Sequence, residues 1–233
     1  MWNRQSFLAA TGAAAAATLA SRPRAFAAVA DEQRVSPDAA LARLTAGNKR
    51  FVAGTSDHRM HASRREALAA GQAPYAMILS CSDSRVPPEV IFDQTLGDLF
   101  VVRVAGNFAD ADGIGSFQYA VSHFSSAVLV VLGHSSCGAI HATVDNVLAG
   151  GPPVPGDIAG IVKALTPAAT RATTAKKAGH PGDVYANATV QNVRDTMGKL
   201  ANTRTIIAES LSAGKLKIVG GVYDLKSGRV NFL

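Results

Sequence analysis

Three short apolar runs constrain this chain more than any other feature. They are YAMILSC (75–81), LFVVRVAG (99–106) and AVLVVLGH (127–134). Each is nearly continuous rather than alternating, and rich in β-branched residues, which is how strands covered on both faces of a parallel sheet read. Between the second and third runs, Ile114, Phe117, Ala120, Val121 and Phe124 recur at intervals of three and four, so GIGSFQYAVSHFSS reads as a helix. GAIHATVDNVLAG, after the third run, reads as another. Strands alternating with helices predict an α/β fold, a mostly parallel central sheet flanked by helices.

Upstream, SPDAALARLTAGNKRFVAG offers Ser36 as N-cap and Pro37 as first helical residue. SRREALAAGQAP reads as a short second helix stopped by Gly71 and Pro74. These two make an N-terminal helical arm. Downstream, residues 150–183 are rich in Gly, Pro, Ala and Thr and read as loop mixed with short helix. ANATVQNVRDTMGKLANTRTIIAESLSAG reads as helical, stopping at Gly214. LKIVGGVYDLKSGRVNFL reads as a strand, a turn at Ser227-Gly228 and a second short strand.

Of the 233 residues, 48% are hydrophobic, ample for one globular core, so disorder is not expected for most of the chain. No fixed-period repeat is present, and no apolar run after the first thirty residues is long enough to span a membrane. Residues 1–30 have the layout of an export signal: Arg4, an uncharged stretch from Phe7 to Ala20, then small residues with Ala25-Phe26-Ala27 or Ala28-Val29-Ala30 as cleavage sites. RQSFLAATGA is twin-arginine-like except that Gln5 replaces the second arginine, which leaves the general secretory route open. The expectation is an exported protein, periplasmic or secreted, with a single catalytic domain over 31–233. The signal carries three arginines and no acid, so its removal takes the net charge from +6 to +3. No dense Lys/Arg run remains, which argues against nucleic acid as a partner.

Reactive groups of open parallel sheets gather at the carboxyl ends of the strands. Cys81 ends the first apolar run, and His134 and Cys137 follow the third, so the chain's only two cysteines are predicted at one edge of the sheet. In an exported protein the plain reading of two cysteines is a disulfide, here Cys81–Cys137 in a non-enzymatic binding protein. Against it stands the histidine: one imidazole and two thiolates make a zinc set, with a fourth position for water or a carboxylate. Asp83 is the nearest carboxylate, and Arg85 can pair with it through two parallel hydrogen bonds. The remaining histidines, His58, His61, His123, His141 and His180, read as surface or helix-face residues with no metal role.

CSDSRVPPE followed by GHSSCG resembles the β-class carbonic anhydrases, and the resemblance covers about residues 36–233. It implies one Zn2+ per chain on Cys81, His134 and Cys137, with Asp83 and Arg85 as a catalytic dyad. In a closed state Asp83 would swing onto the metal as fourth ligand. It also implies that Gln72 lines the substrate pocket together with Phe100 and Tyr119, the last two contributed by a partner subunit in a homodimer or dimer of dimers. Some bacterial members carry a tryptophan three residues before the first cysteine, tied to an inhibitory bicarbonate site; Ile78 stands there, so that regulation is not expected. The implied activity is reversible, zinc-dependent hydration of CO2 to bicarbonate and a proton, with zinc-bound hydroxide as nucleophile. Two thiolates and a neutral imidazole cancel the charge of Zn2+, so such a site should acidify water less than a three-histidine one, and the rate is expected to rise with pH above about 7. A related zinc hydrolase acting on CS2 or COS is the alternative substrate reading.

Overall fold

A computed structural model describes residues 35–57, 62–203 and 206–233. The export-signal reading and the expectations for His58 and His61 lie outside those residues. The three apolar runs form β1 (Ala76–Ser80), β2 (Leu99–Arg103) and β3 (Val128–His134), all parallel. They are joined by β4 (Lys217–Tyr223), parallel to β3, and β5 (Val230–Phe232), antiparallel to β4, in the order β2-β1-β3-β4-β5. β1 and β3 are interior strands and buried throughout, whereas β2 lies at the edge and is only half-buried. That difference is why β2 alone tolerates an arginine at its end.

Side chains alternate across the sheet and build two cores. Ala76, Ile78, Val128, Val130 and Leu132 face one way, onto Ala40 and Leu44 of α1 (Pro37–Val52). Met77, Leu79, Leu129 and Val131 face the other, onto Phe117 and Ala120 of α4 (Ala111–His123), Val193 and Leu200 of α7 (Val184–Ala201) and Ile207 of α8 (Ile206–Ser212). The shorter α2 (Ala62–Leu68) and α3 (Pro88–Ile91) flank β1 in sequence, and α5 (Gly138–Leu148) follows β3.

The N-terminal helical arm lies along the first face. Ser36 caps α1 by accepting the Ala39 N–H at 3.2 Å, and Pro37 opens it. Gly47 lets the helix touch the chain after α3: a Cβ there would lie 1.7 Å from the Phe92 carbonyl oxygen. The next residue, Asn48, donates to the carbonyls of Ile91 and Gly228 and accepts the Val230 N–H at 2.9 Å. One buried amide thus ties the arm to the C-terminal hairpin, whose turn places Gly228 at φ +73.

Two stretches fold differently from the sequence expectation. Residues 158–177 are not loop with short helix but one 20-residue helix, α6 (Ile158–Lys177), running through Pro167. Proline removes the N–H that the Lys163 carbonyl would accept, but Lys163 and Pro167 both lie on the exposed face, where the freed carbonyl is open to solvent. The buried face, Val162, Leu165, Ala168, Ala169 and Ala172, holds the helix through tertiary packing. Conversely, the last helical stretch is divided: α7 ends at Ala201 and α8 begins at Ile206. No helix among the described residues is long and apolar enough to cross a membrane.

Candidate metal centre

The register that pairs Ser80 with Leu132 carries Cys81 to the level of Gly133, one step before His134. Strand geometry alone therefore brings residues 53 apart in sequence to one edge. After His134 the chain turns sharply, with Ser136 in the left-handed region at φ +53, and Cys137 becomes the N-cap residue of α5. The turn is pinned from outside. The Ser135 N–H donates to the Tyr223 carbonyl at 2.9 Å, and the Ser135 hydroxyl accepts the Leu225 N–H at 2.9 Å.

Cys81, His134 and Cys137 are all buried, and their ligand atoms lie within 4.8 Å of one another. The two Sγ atoms are 4.0 Å apart and both thiols are free. A disulfide is about 2.05 Å long, so the Cys81–Cys137 bridge, and the non-enzymatic binding protein built on it, is set aside. Sulfurs at tetrahedral positions about 2.3 Å from a zinc ion stand roughly 3.8 Å apart, close to the spacing found. The imidazole is oriented for the same task. His134 Nδ1 lies 2.9 Å from the Ser135 carbonyl, which acts as acceptor and leaves the Nε2 lone pair free. Nε2 is fully buried with no hydrogen-bond partner, a costly arrangement that a metal ion relieves. The donor set therefore fits zinc.

The thiols share a proton unequally. The Cys81 thiol is pulled well below its ordinary range, first by the hydrogen bond from Cys137 and also by the backbone N–H groups of Gly106 and Asp83, against the cost of burial. The Gly106 N–H lies 3.3 Å from Cys81 Sγ. Cys137, the donor of that pair, is pushed up by the same bond and by burial.

Asp83 and Arg85 meet as a fork. Arg85 Nε donates to Asp83 Oδ1 at 2.9 Å and Nη2 to Oδ2 at 2.7 Å, while the Arg85 backbone N–H adds a third bond at 2.9 Å. These bonds hold the Asp83 carboxyl well below the usual carboxylate range. Asp83 Oδ2 is 4.0 Å from His134 Nε2, beside the ligand set and engaged with Arg85. Arg103, not singled out in the sequence, completes the loop: its Nε donates to the Cys81 carbonyl at 3.0 Å and its Nη2 to the Asp83 carbonyl at 2.6 Å. Its position at the carboxyl end of β2, on the same sheet edge, was the available signal.

Residues 76–230 match the family described as carbonic anhydrase. A carbonic anhydrase of Mycolicibacterium smegmatis is 42% identical over 196 residues, covering 84% of this chain and 92% of its own. Carbonic anhydrase 2 of Mycobacterium tuberculosis is 39% identical over 200 residues, covering 83% and 91%. Among solved structures, a tetrameric β-carbonic anhydrase of Sordaria macrospora superposes with a TM-score of 0.64 at 27% identity, covering 72% of this chain and 85% of that one. The chain belongs to the β-class carbonic anhydrases. Zinc is the metal of that family, and the Cys81, His134 and Cys137 group could bind one ion.

The other positions expected to line the pocket of this carbonic anhydrase are not brought to the metal set within one chain. Gln72 precedes β1 and shares a surface concavity with Leu96 and Gly97, at the amino end of the sheet. Cys81 lies beyond the opposite end of a strand roughly 17 Å long. Phe100 pairs with Met77, four residues before Cys81, and packs against Phe124. Tyr119 is 51% exposed on α4 and stacks on His123 with ring centroids 4.1 Å apart. His123 and His141 both lie on helices, and His141 stacks on Tyr185.

Proposed function

We propose that this carbonic anhydrase works through zinc held by Cys81, His134 and Cys137, with Asp83 and Arg85 directing the nucleophile. The convergence of two unbonded thiols and a partnerless imidazole nitrogen beside an intact carboxylate–guanidinium fork carries this reading. Zinc, when bound, supplies a solvent molecule acidic enough to act as nucleophile near neutral pH. Asp83 is placed to accept a hydrogen bond from that solvent and so aims its lone pair at the carbon of CO2. Arg85 keeps Asp83 ionised and held by its guanidinium beside the ligand set, and Arg103 fixes the backbone on which both Cys81 and Asp83 sit.

Gln72, Phe100 and Tyr119 serve the pocket of a second copy of this chain. The exposure of Tyr119 and the distance of Gln72 from its own Cys81 support a site completed across a homodimer or dimer of dimers. Residues 1–30 support export to the periplasm or beyond, by a twin-arginine-like or general secretory route, and the remainder, 31–233, is taken as one catalytic domain.

The test is zinc content per chain together with proton release driven by CO2. One zinc per chain, activity with CO2 and loss of both in Cys137→Ser are expected. A zinc-free, active protein would overturn the ligand assignment, and proton release driven by CS2 or COS but not CO2 would overturn the substrate.

A further inference from the structure

Asn107 is the most unusual polar residue near the centre that the preceding scheme leaves unused. It is 1% exposed, and its backbone is left-handed at φ +44. It follows Gly106, which is held at both ends: the Gly106 N–H donates to Cys81 Sγ at 3.3 Å, and its carbonyl accepts from Asn192 Nδ2 at 2.8 Å. The Asn107 N–H closes the turn onto the Val104 carbonyl at 3.0 Å. Its side chain reaches toward β3, two strands away from β2, with Oδ1 3.8 Å from where a Cβ on Gly133 would stand, immediately before His134. The amide therefore lies between the loop that holds one ligand and the strand that carries another. Its Nδ2 is buried with no acceptor.

A buried donor without a partner is costly, and native chains keep few of them. Asparagine is also one of the few side-chain-bearing residues that accepts a left-handed backbone, but glycine accepts it more readily. Neither the turn nor the packing explains a polar amide here. Metal loading does supply a reason, because it makes Cys137 a second thiolate and leaves both sulfurs as hydrogen-bond acceptors beside the loop that already donates the Gly106 N–H to Cys81.

We propose that Asn107 is a positioning residue of the metal centre, its amide spanning the Cys81 loop and the His134 strand and reserving an N–H donor for the negative sulfur pair of the loaded state. The inference rests on the assignment of Cys81, His134 and Cys137 as ligands. Outer partners of this kind change metal affinity by about 10–100-fold when removed.

Two variants separate the amide from the turn. Asn107→Gly keeps the left-handed backbone and deletes the side chain. Asn107→Asp keeps size and shape but places an acceptor where the donor stands. Zinc affinity is read by chelator competition on the full chain, and the ligand field by the thiolate-to-metal absorption of the cobalt-substituted protein. Both variants are expected to lose about 10–100-fold in zinc affinity and to shift the cobalt spectrum, while metal-free Asn107→Gly keeps wild-type thermal stability or exceeds it and metal-free Asn107→Asp, with its buried carboxylate, is less stable. Zinc affinity within twofold of wild type and an unchanged cobalt spectrum in Asn107→Gly would overturn the proposal and leave Asn107 a turn residue. If Asn107→Asp fails to fold, Asn107→Gly decides alone. A wild-type chain that takes up no zinc overturns the ligand assignment itself, and the inference falls with it.

Discussion

Gly133 stands one residue before His134, and replacing it with alanine tests how the sheet aims that ligand. A Cβ at Gly133 would lie 2.8 Å from Val193 Cγ2 and 3.1 Å from Thr189 Cγ2, both on α7. Carbon atoms pack at about 3.5–4.0 Å, so α7 or β3 must give by roughly half an ångström or more. Both are held, since Val193 is fully buried and β3 is paired on both sides. Overpacking of this kind costs about 1–3 kcal/mol, and the displaced strand takes His134 with it. Val193→Ala by itself should cost about 2–3 kcal/mol through lost burial and a cavity. In the double variant the alanine methyl at position 133 occupies part of that cavity, so the two losses should fail to add by about 1 kcal/mol or more. Denaturant unfolding of the zinc-stripped proteins measures all four corners of the cycle without metal masking the differences. Zinc affinity should fall in Gly133→Ala and recover in the double variant. A Gly133→Ala protein as stable as wild type, or strictly additive losses, would refute the argument that α7 sets the position of β3 at this point.

Arg85→Ala should lower CO2 hydration by about 10²-fold, yet leave stability near neutral pH almost unchanged, because the Arg85 side chain is 57% exposed; parallel kinetics and unfolding curves check the split, and a large loss of stability would contradict it. The Asp83 carboxyl is held below its ordinary value of 3.8, so its pairing stabilises the fold above that pH and the contribution is lost as pH falls further. Acid titration of stability below pH 4 should therefore be less steep in Arg85→Ala than in wild type. With Cys81 ionised and Cys137 protonated in the metal-free chain, zinc loading at pH 8 should draw about one proton from the thiol pair rather than two. Calorimetry in buffers of different ionisation enthalpy counts it, and two thiol protons would contradict the unequal sharing.

The sheet was legible because β1 and β3 are interior strands and must be apolar on both faces, a pattern that survives without any knowledge of neighbours. The metal set was legible for a related reason: once two strands are parallel and adjacent, the residues that end them share an edge. The long helix α6 was obscured by Pro167, because a proline in sequence does not reveal that it will sit on a solvated face. The division between α7 and α8 carries no glycine or proline at the break, so local composition gave no warning. Arg103, Ser135 and Asn107 act through hydrogen bonds to backbone and sulfur, and such bonds depend on where loops meet in space. Gln72, Phe100 and Tyr119 could be matched to the family by sequence, but their distance from the metal set of their own chain appears only in three dimensions.

Ser135 leaves a mark on the order of events during synthesis. The bend between His134 and Cys137 is closed by the Tyr223 carbonyl and the Leu225 N–H, nearly ninety positions further along. A nascent chain that has already released all three ligands from the ribosome still lacks the clasp that shapes them. Tight uptake of the ion should therefore wait until the carboxyl-terminal hairpin docks, and a chain halted before Tyr223 should capture zinc weakly if at all.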